Sequence, residues 1–189
     1  LDAGQRVLSG QVRRGDSETI RAVIWLSDLR GFTAMSDALP MDRLLAVLNA
    51  FFERQVGPIQ AHGGEVLKFM GDGLLAVFRV TDEGPESACQ AALQAANEAV
   101  AHLDAYNATG GDGAPLHLGL ALHLGDVVFG NMGAPERMDF TVIGDAVNLA
   151  SRIERLCKRL DRPILVSSTV AEALEGVAEL EPMGSHRVD

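Results

Sequence analysis

Val66-Leu67-Lys68-Phe69-Met70-Gly71-Asp72-Gly73-Leu74-Leu75-Ala76-Val77-Phe78 joins two apolar runs through Gly71-Asp72-Gly73. Asp-Gly between apolar runs is a strong hairpin signal, and it puts Asp72 at the tip of a turn between two strands. Upstream, the run Ala22-Val23-Ile24-Trp25-Leu26 stops at Ser27-Asp28-Leu29-Arg30-Gly31-Phe32-Thr33. This reads as a buried strand breaking into a loop, with Asp28 at the C-terminal end of the strand. Between the two, Met41 to His62 carries Leu44, Leu45, Val47, Leu48, Phe51 and Phe52 at helical spacing and ends at Gly63-Gly64, a helix with a glycine stop.

Beyond the hairpin, the alanine-rich segment Pro85 to Tyr106 predicts a second long helix, closed by Thr109-Gly110-Gly111-Asp112-Gly113. Leu116, Leu118, Leu120, Leu122 and Leu124 alternate with His117, Gly119, Ala121 and His123, the period of a half-buried strand. Gly125-Asp126 is expected to turn this strand into Val127-Val128-Phe129-Gly130, and Asn131 to Asp139 reads as a loop or arm. Gly144-Asp145 opens a helix running to about Leu160, Pro163 to Val166 is a short strand, Ser167-Ser168 caps a small helix, and Val177 to Leu180 is a last weak strand. The order β-α-β-β-α-β is that of the ferredoxin-like split βαβ unit with a hairpin, helix and strand appended, so the fold class is α+β. In that topology the third strand lies antiparallel between the first two. The end of strand one and the turn between strands two and three then share an edge, and Asp28 and Asp72 become neighbours. Two converging carboxylates with no basic residue between them repel unless cations lie there, and magnesium is the natural occupant. Each aspartate alone has an ordinary reading, as a turn residue or as a residue approaching a helix.

At 189 residues the chain fits one domain that can bury a core without staples. The formal net charge of -10 argues against non-specific binding to a nucleic-acid backbone or to an anionic membrane. Cys89 and Cys157 lie inside helical patterns without CxxC spacing, which argues against a disulfide scaffold or zinc site and fits a reducing, cytoplasmic setting. No stretch approaches the roughly 20 apolar residues that span a bilayer, and Leu1 to Gly10 lacks the layout of a signal peptide. No membrane contact is expected from this stretch. The absence of an initiator Met suggests a piece of a longer protein, with a sensor or membrane segment upstream.

Three ordered segments, Asp28-Leu29-Arg30-Gly31-Phe32-Thr33, Lys68-Phe69-Met70-Gly71-Asp72-Gly73 and Thr141-Val142-Ile143-Gly144-Asp145-Ala146-Val147-Asn148-Leu149-Ala150-Ser151-Arg152, resemble the catalytic domain of class III adenylyl and guanylyl cyclases. The segment Gly119 to Gly133 is similar as well, so the resemblance covers about Arg21 to Leu180. It implies the nucleotide cyclase fold and conversion of a purine nucleoside triphosphate to its 3′,5′-cyclic monophosphate and pyrophosphate. By match, Asp28, Asp72 and the Leu29 carbonyl hold two Mg²⁺ or Mn²⁺ ions. Gly31, Phe32 and Thr33 bring backbone N–H groups to the phosphates.

Where guanylyl cyclases of the family usually carry Glu this chain has Lys68, and where most adenylyl cyclases carry Asp it has Thr141. Lys can donate to adenine N1 and Thr can accept from the exocyclic amine, whereas guanine presents an N1–H donor that Lys cannot meet. The resemblance therefore implies ATP. The Lys/Thr pair is similar to the subclass that includes bicarbonate-responsive soluble adenylyl cyclases, which adds bicarbonate or CO₂ as an expected effector. By match Asn148 orients the ribose and Arg152 stabilises charge on the α-phosphate. On spacing alone, Asn148, Arg152, Arg155 and Arg159 read as a solvated stripe opposite Leu149, Ile153, Leu156 and Leu160. The family builds each site from two catalytic domains, so a homodimer is implied, with Asn131 to Asp139 as the arm that reaches the partner.

Two departures stand out. The family's basic residue on the final strand has no match before the chain ends at Asp189, with Arg187 nearby but unmatched, which suggests either a shortened C-terminus or a weaker grip on the triphosphate. Residues 1–19, including Gln11-Val12-Arg13-Arg14, resemble nothing assignable and read as a connector or tail, leaving 20–189 as the catalytic domain. The rival readings are a guanylyl cyclase, disfavoured by Lys68, and an inactive dimerisation or sensing module, which would normally have lost an Asp or the Asn/Arg pair. A palm-type polymerase or diguanylate cyclase shares the two-carboxylate logic but leaves Lys68 and Asn148-Arg152 unexplained.

Overall fold

A computed structural model describes residues 17–110, 115–134 and 137–188. The Gln11 to Arg14 run, the Gly111-Asp112-Gly113 turn and most of the proposed connector lie outside the described residues. The elements are β1 (Ser17–Leu29), α1 (Phe32–Ala38), α2 (Met41–Ala61), β2 (Glu65–Met70), β3 (Gly73–Arg79), α3 (Gly84–Ala108), β4 (Leu118–Ala134), β5 (Arg137–Ile143), α4 (Asp145–Leu160), β6 (Ile164–Val166) and α5 (Ser168–Ala173). The class is α+β, as the element order predicts. One sheet runs β2-β3-β1-β4-β5, with β6 pairing parallel to β4. β1 is antiparallel to both β3 and β4, and β2 is antiparallel to β3, so β1 and β2 are parallel with β3 between them.

Alternation along the central strands sorts the core into two layers. Val23, Trp25 and Leu29 of β1 join Leu74, Ala76 and Phe78 of β3 and the even-numbered leucines of β4 under α2 and α3. Five alanines of α3 (Ala88, Ala92, Ala95, Ala96 and Ala99) are buried in that layer, and their small side chains let the helix lie close to the sheet. Ala22, Ile24 and Leu26 point the other way, joining Leu75, Val77, Val127, Phe129 and Val142 beneath Ala146 and Ala150 of α4. β1 is therefore buried on both faces, which is why it reads as a continuous apolar run.

Four local expectations are corrected. Gly125-Asp126 makes no turn, and β4 continues through it opposite Ala22 and Arg21 of β1. A Cβ on Gly125 would lie 2.7 Å from the Ala146 Cβ, so this glycine admits α4 to the sheet. Leu118–Leu124 is buried on both faces, because α4 covers the side that carries Gly119, Ala121 and His123. The described residues of the expected loop, Asn131–Ala134 and Arg137–Asp139, lie in two paired strands, with Asn131 opposite Phe140 and Ala134 opposite Arg137. Val177 to Leu180 forms no strand. The amides of Val177 and Ala178 turn back onto the Leu174 carbonyl at 2.9 and 3.1 Å, and Ala178 and Leu180 pack against the first layer without pairing. β1 also starts earlier than expected, since Ser17 to Thr19 pair with Gly130 to Val128.

Candidate active site

The end of β1 meets the β2–β3 turn as the topology requires. Asp28 lies opposite Gly73 of β3 and opposite Gly119 of β4. The Leu29 amide donates to the Asp72 carbonyl at 3.1 Å, and the Arg30 amide to the His117 carbonyl at 2.9 Å. These main-chain bonds hold the two aspartates together. Burial first, then the charge and the polar contact of Asp72, push the Asp28 carboxyl from 3.8 to about 6, while the Leu29 amide pulls the other way. Gly73 leaves the space this pair needs. A Cβ there would lie 2.7 Å from the Ser27 carbonyl oxygen and 3.6 Å from Asp28 Oδ1.

Such a pair fits a hard divalent cation. It supplies oxygen donors only and carries like charges that a cation relieves. Among the described residues no group of three or more His, Cys, Asp or Glu side chains could hold a metal. The remaining ligands would be backbone carbonyl, water and phosphate oxygens, the usual surroundings of Mg²⁺ at nucleotide sites. Next along the chain, Gly31 takes φ 77 and starts α1 with no side-chain cap. Phe32 packs on the first core layer, and Thr33 is exposed.

Lys68 and Thr141 sit on β2 and β5, the two ends of the sheet path, yet these strands come into contact because the sheet curls. A register shift between Val66 and Lys68 breaks the alternation of β2, so Lys68 pairs with Leu75 and Phe69 with Leu74. Lys68 thereby shares a face with the second core layer, while Phe69 turns to stack on Phe52, with ring centroids 4.6 Å apart. Leu67 packs against the same layer as Val142 of β5. Lys68 is exposed and Thr141 is buried at 7% exposure.

Asn148 and Arg152 stand one turn apart on α4, whose buried side carries Ala146, Ala150, Ile153, Leu156 and Cys157. Both are exposed. Neither side chain bonds to any described residue of its own chain, so a single chain assembles the carboxylate pair and leaves Asn148 and Arg152 projecting outward.

The family model for the adenylate and guanylate cyclase catalytic domain matches residues 16–189. The chain belongs to this family. An adenylate cyclase of Anabaena cylindrica is 38% identical over 166 residues, covering 85% of this chain and 32% of the relative. The cyclase domain thus spans about a third of that relative. The structure of a bacterial light-regulated adenylyl cyclase superposes with a TM-score of 0.83 at 26% identity, over 98% of this chain and 58% of that one. A guanylyl cyclase structure superposes with a TM-score of 0.68 at 30% identity, over 92% and 89% of the two chains. Relatives of both base preferences share the fold.

Sequence reasoning missed Glu154, a third carboxylate of the cyclase domain close to the first two. Burial, followed by the charge of Asp28, pushes it from 4.5 up to about 7, against the pull of Arg30 and Arg155. Its Oε1 fills the space above Gly119, 2.7 Å from where a Cβ would be, and Arg30 Nε lies 3.6 Å from the same point. A signal was present, since Glu154 is four residues after buried Ala150 and next to buried Ile153, an acidic residue on the apolar side of an amphipathic helix.

Proposed function

We propose that this cyclase domain converts ATP to 3′,5′-cyclic AMP and pyrophosphate as a homodimer, with two Mg²⁺ or Mn²⁺ ions at each site. The observation that carries the reading is the Asp28–Asp72 pair, held in mutual contact by the β1–β3 register with Asp28 raised to about 6. Asp28, Asp72 and the Leu29 carbonyl hold the ions, which when bound acidify the ribose 3′-hydroxyl and neutralise the β- and γ-phosphates. Gly31, Phe32 and Thr33 lie alongside the triphosphate. Lys68 donates to adenine N1, and Thr141 accepts from the exocyclic amine. Asn148 orients the ribose so that O3′ faces the α-phosphorus. The 3′-hydroxyl gives its proton to solvent water, O3′ bonds to phosphorus, the bond to the bridging oxygen of the β-phosphate breaks, and pyrophosphate leaves. Arg152 stabilises the charge that builds on the α-phosphate oxygens, a task for which its planar fork suits it.

The exposure of Asn148 and Arg152 supports assembly of the site from two chains, each supplying the carboxylates to one site and Lys68, Thr141 and α4 to the other. The β4–β5 ribbon is the arm that meets the partner. The residues before β1 are a connector or tail, the protein works in the cytoplasm, and the Lys68/Thr141 pair brings bicarbonate or CO₂ stimulation with it. No described helix is long and apolar enough to cross a membrane.

The test is incubation of the purified dimeric protein with ATP or GTP and Mg²⁺ or Mn²⁺, measuring cyclic nucleotide. Cyclic AMP from ATP, with little cyclic GMP from GTP, is expected. The reverse preference makes the protein a guanylyl cyclase, and no product from either base makes it a non-catalytic module. A flat response to bicarbonate at fixed pH removes that effector.

A further inference from the structure

Arg30 follows the carboxylate-bearing end of β1 by two residues, and its side chain leaves that turn for another part of the fold. The guanidinium donates to the Cys157 carbonyl at 2.8 Å and to the Arg162 carbonyl. The first acceptor lies in the last turn of α4 and the second just beyond its end, where the chain leaves the helix through Asp161 in the left-handed region, at φ 50. The Cys157 carbonyl also receives the Arg162 amide at 3.0 Å, closing the helix end. A cation at this terminus faces the negative end of the helix dipole. Only 23% of the Arg30 side chain is exposed, whereas Asp161, 3.5 Å from it, is 99% exposed. The carbonyl bonds rather than that ion pair therefore hold the guanidinium.

The main chain of Arg30 is fixed too, through its amide bond to the His117 carbonyl at 2.9 Å. Space for the crossing is left by Gly119, the residue opposite Asp28. The Glu154 carboxylate takes the position a side chain at 119 would need, and Arg30 Nε lies 3.6 Å from that point, in ordinary contact. One residue thus ties the turn carrying Asp28 to the helix carrying Asn148 and Arg152.

We infer that Arg30 is a positioning residue that locks the carboxylate turn and α4 of each chain into one rigid body. This rests on the shared-site dimer proposed above, and it has a consequence there. In the dimer those two parts of one chain serve different sites, so Arg30 mechanically links the two sites. Its loss lets α4 drift, and Arg152 moves off the α-phosphate. Misplacement on the scale of an ångström costs about a hundredfold in rate.

The experiment uses mixed dimers. A chain with Asp28→Ala paired with a chain with Arg152→Ala holds one intact site, with Asp28 from the second chain and Arg152 from the first. Absence of activity in this pair overturns the shared-site reading itself. With activity present, Arg30→Ala is added to the Asp28→Ala chain, which contributes Lys68, Thr141 and α4, but no metal carboxylate, to the intact site. The expected result is a fall in kcat of about tenfold or more, with the KM for ATP within about twofold and the dimer still folded at the assay temperature. Arg30→Gln on the same chain serves if Arg30→Ala does not fold. Asp161→Asn on the full dimer is expected to leave kcat unchanged. An unchanged kcat in the mixed dimer with either Arg30 variant overturns the inference, as does an equal fall in kcat from Asp161→Asn.

Discussion

Glu154→Gln in the metal-free cyclase domain is expected to raise thermal stability in alkaline buffer and to do little in mildly acidic buffer. The folded chain holds the Glu154 proton up to about 7, against 4.5 for an unburied carboxyl. Above 4.5 the unfolded chain ionises this group while the folded chain still binds its proton, so stability falls as pH rises and levels off above about 7. At 1.36 kcal/mol per pH unit the full difference is about 3 kcal/mol, and solvent reaching part of the carboxylate reduces it to about 1–2 kcal/mol. Gln keeps the size and the polar end and removes the charge, so the variant gains that amount at about pH 8 and a small fraction of it near pH 5. For a domain of this size the gain is a melting temperature higher by roughly 2–6 °C.

Differential scanning fluorimetry in chelator, from about pH 5 to 9, reads the gap between the two proteins. A gap that opens between pH 5 and 7 and then stays constant supports the burial of a charge. A gap independent of pH, or wider at the acid end, refutes it, because Gln would then act through new hydrogen bonds. Saturating Mg²⁺ adds a second check. Neutralising Asp28 and Asp72 removes part of the repulsion that raises Glu154, but burial is the larger cause, so the gap should narrow and persist.

Asp28→Asn is expected to raise the metal-free melting temperature at about pH 8 by a few degrees, since it removes the charge that burial, and then the repulsion of Asp72, disfavours in lifting Asp28 to about 6. The same variant should lose both the Mg²⁺-induced rise in melting temperature and the cyclase activity; a retained Mg²⁺ shift would clear Asp28 of a metal role. Gly73→Ala places a Cβ 2.7 Å from the backbone oxygen of Ser27, so a loss of about 1–3 kcal/mol is expected in denaturant melts. A fall in activity below that of a matched destabilised core variant should accompany it. Lys68→Glu is expected to lower kcat/KM for ATP at least about tenfold and raise it for GTP, because an acceptor now meets the guanine N1–H. Parallel loss for both nucleotides would take base recognition away from Lys68.

The residues fall into classes by how far their meaning travels along the chain. Asp28 and Asp72 were legible because an apolar run, a hairpin signal and one topology suffice to bring them together, and the register of β1 on β3 does so. Gly71-Asp72 and Gly125-Asp126 are the same dipeptide, yet one turns the chain and the other lies mid-strand. Locally, Gly73 after Asp72 and the positive φ of Gly71 make the turn, whereas Val127 follows Asp126, and Gly125 instead meets the Ala146 Cβ, 2.7 Å from where its own Cβ would be. Gly119 beneath Glu154 and Gly73 beside Ser27 have the same origin. Each is small because another element, distant in sequence, passes close over it, and local pattern carries no trace of that. Asn148 and Arg152 are a third class. Their spacing reads as a solvated stripe, and in one chain they are exposed. Buried charge obeys a stricter rule, since it must meet a partner or shift its proton. Glu154 does both, sitting beside Arg30 while raised to about 7. An acidic residue on the apolar side of α4 was therefore the one mark in the sequence that α4 packs against the carboxylate turn of its own chain.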